Sequence, residues 1–144
     1  MWLSIHNVDE LQEGDVVEFP SKVPDNRLIL PGLEVPFVLH YGIVVIQDGE
    51  KKMGQTTFQQ YPQIDSIEKT LNGRRINRII RTGLPSDQLI SNHKEVENKK
   101  YHWWNFNCEH YVKQMTGINP GIDQRITLGI AIIILLLIIL IIFK

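Results

Sequence analysis

The sequence predicts an α+β domain, an antiparallel sheet with packed helices, followed by a C-terminal transmembrane helix. The β signal is clearest at PFVLHYGIVVIQDGEKKMGQTTF. Val38 to Ile46 is dense in β-branched and aromatic residues, and Asp48-Gly49 is a strong two-residue hairpin turn. The helical signal lies later, in Pro85 to Lys100 and Asn107 to Thr116. The third observation is ITLGIAIIILLLIILIIF, Ile126 to Phe143, which contains no charge. As a helix it would be roughly 27 Å long at about 1.5 Å per residue, close to the thickness of a bilayer core. A buried core helix is the competing reading, but such helices usually carry a polar stripe and this run has none.

These signals divide the chain into a folded domain over 1–117, a linker over 118–125 and a membrane anchor over 126–143. Lys+Arg number 15 against 16 Asp+Glu, so no electrostatic case exists for nucleic acid as a partner. A single cysteine cannot form an internal disulfide, which fits a reducing compartment. Lys113 and Arg125 on the domain side of the anchor, against Lys144 beyond it, favour a cytosolic domain. No metal-ligand spacing is evident, and the chemistry expected below needs neither metal nor cofactor.

In chain order, Gly14 to Phe19 (GDVVEF) reads as a turn entering a short strand. A loop follows, with Pro20, Pro24, Pro31 and Pro36 opposing any long helix. If the Asp48-Gly49 turn is tight, paired residue numbers sum to about 97 by the two-residue turn rule. His40 then opposes Thr57, with Gln55 on the same face. Arg75 to Ile80 (RINRII) is expected to be a further strand. Pro85 to Lys100 should be helical, with Ser86 or Asp87 near its start. Asn107 is a good N-cap for the second helix and Gly117 a good stop.

That second helix would begin with the only thiol. A cysteine at a helix start faces unsatisfied backbone N–H groups and the positive end of the dipole, which favour thiolate. The plainer reading of a lone cysteine is a small buried hydrophobe. Reactivity usually requires a nearby imidazole. His6 and His93 lie in polar stretches expected to be exposed, His102 lies in the loop before the helix, and His110 points away from Cys108. His40 sits inside an apolar strand, where it is either a satisfied core histidine or a base. Tyr101, Trp103, Trp104 and Phe106 form an aromatic cluster that reads as core, with a lipid-facing rim as the alternative. Arg74, Arg75, Arg78 and Arg81 read as a solvated edge, with a phospholipid-headgroup contact as the alternative.

The strand His40-Tyr41-Gly42-Ile43-Val44-Val45, the helix Asn107-Cys108-Glu109-His110-Tyr111-Val112 and the Gly14-Asp15 opening together resemble the lecithin:retinol acyltransferase family. That family includes the small phospholipase/acyltransferases called HRAS-like suppressors. The resemblance spans Gly14 to Gly117 and implies a permuted papain-like thiol fold. It implies Cys108 as nucleophile and His40 as general base and acid. The implied reaction takes an acyl group from a membrane glycerophospholipid through a Cys thioester and delivers it to an amine, an alcohol or water. One departure stands out. The family's second histidine is absent near Lys52 and Met53, and Gln55 is the candidate orienting residue in its place, or else an ordinary polar strand residue. The rival expectations are a papain-like cysteine peptidase or amidase and a catalytically silent membrane-bound adaptor.

Overall fold

The computed structural model describes residues 2–3, 7–22, 34–102, 105–121 and 124–142, with backbone alone for 2–3, 34–38, 124–128, 131 and 142. The strands are β1 (Trp2–Leu3), β2 (Asp15–Lys22), β3 (Glu34–Gln47), β4 (Glu50–Gln55), β5 (Gln63–Ser66) and β6 (Arg78–Arg81). Among the described residues they form one antiparallel sheet in the order β1-β6-β2-β3-β4-β5. The helices are α1 (Ile67–Leu71), α2 (Ser86–Val96), α3 (Cys108–Thr116) and α4 (Gln124–Ile142). The α+β class and the antiparallel sheet are as the sequence predicts.

Both faces of the sheet are covered, which explains why GDVVEF and VLHYGIVVI are apolar almost throughout instead of alternating. Successive side chains of a strand point to opposite faces. Tyr41, Ile43 and Val45 therefore join Val16 and Ile80 beneath Leu89 and Val96 of α2 and Tyr111, Val112 and Met115 of α3. Val44 faces the other way, with Val17, Phe19, Met53 and Ile79, against Ile67 and Leu71 of α1.

The β3–β4 hairpin keeps the predicted register, with Gln47 opposite Glu50 and Ile43 opposite Gly54. Asp48 (φ 57°) and Gly49 (φ 77°) both adopt the left-handed conformation that a tight two-residue turn requires. The proline-rich segment differs from expectation. Pro20 and Pro36 lie within β2 and β3 rather than in a loop, while Pro24 and Pro31 fall outside the described residues. Pro20 cannot donate to the ladder, and the β2–β3 register shifts there, from Pro20 opposite Leu39 to Ser21 opposite Val35. This irregularity lies one residue from His40.

The strand expected over Arg75 to Ile80 occupies Arg78–Arg81. Strands β1 and β5 and helix α1 were not anticipated from the sequence. The five-residue α1 is held by its ends: Ser66 Oγ accepts from the Lys69 N–H, and Asn72 closes the helix at φ 48°. In α2 neither expected cap is used, since Pro85 precedes the helix without a side-chain bond. Ser86 Oγ instead accepts from the Ile46 N–H at 2.7 Å, tying α2 to β3.

The C-terminal helix α4 has 19 residues and takes in the end of the expected linker. Among the residues whose side chains are described, no helix is long and apolar enough to cross a membrane. In α4 those residues are 129–130 and 132–141. From Ile132 to Ile141 its side chains are largely exposed, reaching 68 % at Leu140 and 76 % at Ile141.

Candidate active site

Helix α3 begins as its sequence dictates. Asn107 is extended, and its Oδ1 accepts from the backbone N–H of Glu109 (3.0 Å) and of His110 (3.1 Å). His110 Nδ1 reaches the same oxygen at 2.8 Å, so this histidine belongs to the cap. At the other end Gly117 (φ 76°) stops the helix. The cap fixes Cys108 as the first helical residue, buried against the sheet and in one cluster with Tyr41 and Phe106.

Burial, not the helix start, governs the thiol. Its pKa is pushed up to about 12, first by desolvation and further by the Glu109 carboxylate. The backbone N–H groups of Tyr41, Glu109 and Cys108 itself oppose that shift. The rise corresponds to about 4 kcal/mol against the thiolate, whereas a helix terminus typically supplies ~0.3–1 kcal/mol. The N–H groups at the helix start favour the thiolate as expected, but burial outweighs them and the resting group is a thiol.

His40 is buried on β3. Its Nε2 is 2.9 Å from Gln55 Oε1, and its ring meets Phe19 edge-on at 5.1 Å. The predicted sharing of a face by His40 and Gln55 is thus found. With the amide oxygen toward the ring, Nε2 carries the hydrogen and Nδ1 keeps its lone pair. Desolvation, with help from the Arg74 charge, pushes the imidazole down to about 4, and the Gln55 hydrogen bond only partly offsets this. The histidine is neutral and able to accept a proton.

Thiol and imidazole approach β3 from different sides. Tyr41 faces α3, while His40 faces Phe19 and Gln55. Gln55 is the last residue of β4, and β3 extends beyond the pairing with it. The Tyr41 N–H points at the Cys108 sulfur. Among the described residues no hydrogen bond joins Cys108 to His40. The arrangement holds a neutral thiol against the Tyr41 N–H and a neutral imidazole on the preceding residue of β3, with a ring nitrogen uncommitted.

Several other expectations change. His93 is buried rather than exposed, with Nδ1 2.9 Å from the Tyr111 hydroxyl. The arginines are a solvated edge only in part, since Arg74 and Arg78 are half-buried. Arg78 pairs with the buried Glu18 at 2.8 Å, and Arg81 lies 3.6 Å from Asp15. Arg74 stacks on Phe19 at 4.5 Å and donates to the carbonyls of Leu71, Pro20 and Thr70. Arg75 and Arg81 keep the expected exposure. Phe106 is core and Tyr101 is half-buried against Phe58, while His6, Trp103 and Trp104 lie outside the described residues. Sequence reasoning missed Tyr41. Strand alternation beside His40 already put it on the opposite face, the face that α3 covers. Among the described residues no cluster of His, Cys, Asp and Glu could hold a metal ion.

No protein-family model, no curated protein and no solved structure matches the chain.

Proposed function

We propose that this chain is a membrane-anchored thiol acyltransferase or phospholipase A acting on glycerophospholipids, of the lecithin:retinol acyltransferase type. The observation that carries the reading is the capped Cys108 at the start of α3, whose sulfur meets the N–H of Tyr41, the residue that follows His40, an imidazole kept neutral and held through Nε2 by Gln55. The substrate class rests on the sequence resemblance and on α4, whose apolar side chains find no cover in the domain. The run from Ile126 to Phe143 carries no charge, as suits insertion in lipid, and attachment there would keep the domain beside substrates that hardly leave it.

In the first half-reaction His40 Nδ1 takes the thiol proton as sulfur attacks the ester carbonyl. The carbon–oxygen ester bond breaks, the leaving oxygen takes that proton back from His40, and a lysophospholipid departs from a Cys108 thioester. In the second half His40 removes a proton from an amine, alcohol or water, which attacks the thioester and restores the thiol. The N–H groups of Tyr41 and Cys108 that face the sulfur are the donors at hand for the oxyanion. The mechanism requires Nδ1 to reach the sulfur in the substrate complex.

A catalytically silent membrane-bound adaptor is the second reading, favoured by the buried thiol and its lack of a hydrogen bond to His40. The test is phosphatidylcholine turnover by the full chain in vesicles. Cys108→Ser should lower lysophospholipid release by at least ~10³-fold, in line with the loss of a nucleophile. Retained turnover in that variant would sink the mechanism, and a wild type without turnover would favour the adaptor.

A further inference from the structure

The loop between β4 and β5 carries two aromatic side chains that the mechanism does not use. Phe58 is 48 % and Tyr61 51 % exposed. The loop is a built turn: Gln60 N–H donates to Thr57 O at 3.0 Å, and Thr57 Oγ1 donates to Gln60 Oε1 at 2.9 Å. Gln59 has a φ of 65°, which leaves Phe58 at the tip. Phe58 stacks edge-on against Tyr101 at 5.8 Å, and the Tyr101 N–H donates to Gln60 O at 2.8 Å. The loop is thereby fastened to the segment that enters α3, where His102 and Phe106 exchange backbone hydrogen bonds just before Cys108. Between Lys52 and Asp65 the sequence holds no charge.

The chain into α4 leaves from this same end of the sheet. At Gly121 a Cβ would lie 2.6 Å from the Tyr41 hydroxyl oxygen, so the chain runs over Tyr41 only because this residue is glycine. The amide of that same Tyr41 faces the Cys108 sulfur, and α4 starts three positions on, at Gln124.

From these placements we propose that Phe58, Tyr61 and Tyr101 form a second membrane contact, an interfacial rim that lays the Cys108 end of the domain on a phospholipid surface. The inference rests on the membrane-bound reading and adds an orientation to it. The phenol rings of Tyr61 and Tyr101 suit the headgroup boundary, Phe58 adds apolar surface, and an uncharged loop enters it without desolvating an ion. One helix alone would leave the domain free to swivel. Two contacts at this end would hold the Cys108 end of the domain against the bilayer, within reach of a phospholipid that stays in the membrane.

The test uses the full chain in phosphatidylcholine vesicles with a benzophenone amino acid replacing, one at a time, Phe58, Ile46 or Ile132. Ile46 is the control: it is 39 % exposed but lies about 20 Å from His40 along β3, at the other end of the hairpin. Irradiation followed by mass spectrometry reads the phosphatidylcholine adduct. The Phe58 and Ile132 variants should both capture lipid, with Phe58 exceeding Ile46 on the order of tenfold, as expected for a ring held at the interface. Capture at Ile132 with no excess at Phe58 over Ile46 overturns the rim alone. No capture at Ile132 overturns the anchor, and the rim with it.

Discussion

At the residue scale, His40 is defined by burial. A folded-state pKa of about 4 lies below its ordinary 6.5, so between those values the unfolded chain binds the extra proton. Stability is therefore whole above about pH 6.5 and declines as pH falls toward 4, by up to about 3 kcal/mol. The same displacement sets the acid limb of catalysis, because a protonated imidazole cannot accept the thiol proton. kcat/KM should hold down to about pH 4 and fall below it; a drop centred near 6.5 would mean that the base is not this buried histidine. His40→Ala should suppress labelling of Cys108 by an acylating lipid analogue, and undiminished labelling would remove His40 as base. His40 and its pairing with Gln55 were legible because a tight hairpin fixes every partner once its turn is known. The charge state of Cys108 was not. It depends on how deeply α3 sinks into the sheet, which no local pattern encodes.

At the element scale, α3 is seated by a close approach between its Tyr111 and β4. A Cβ at Gly54 would lie 2.5 Å from the Tyr111 hydroxyl oxygen, which His93 of α2 already engages at 2.9 Å. Gly54→Ala must push that ring and helix outward, and overpacking of this kind costs about 1–3 kcal/mol. Urea unfolding of the full chain in detergent checks it, and an unchanged midpoint would show that α3 is not seated this way. The caps of α3 were readable because Asn107 and Gly117 act through their own backbone neighbours. Strand β5 and helix α1 were not readable. Gln63–Ser66 has no apolar alternation, and α1 is a five-residue turn made by a serine cap and a left-handed asparagine. The helix signal of α2 was present, but its tertiary bonds through Ser86 and His93 replaced the exposed, self-capped helix that its polar sequence suggested.

At the scale of the whole molecule, a sheet covered on both faces is followed by a helix whose apolar surface the domain does not cover. Removing Ile126 to Lys144 should release the protein from membranes into the supernatant; a truncated chain that still sediments with vesicles would contradict the anchor. Burying even part of the α4 surface in lipid, at about 25 cal/mol per Å², outweighs any single polar contact in the linker. The sequence disclosed this because eighteen positions without a charge need no fold to interpret. The approach of Gly121 to Tyr41 was not legible, since it joins residues eighty positions apart. The chemistry at Cys108 is the central claim, and mass spectrometry of the intact chain after incubation with phosphatidylcholine tests it most directly. The account predicts an acyl mass on Cys108, absent from Cys108→Ser and reduced in His40→Ala. Turnover with no acyl mass on this residue, or an acyl mass that persists in Cys108→Ser, would contradict it.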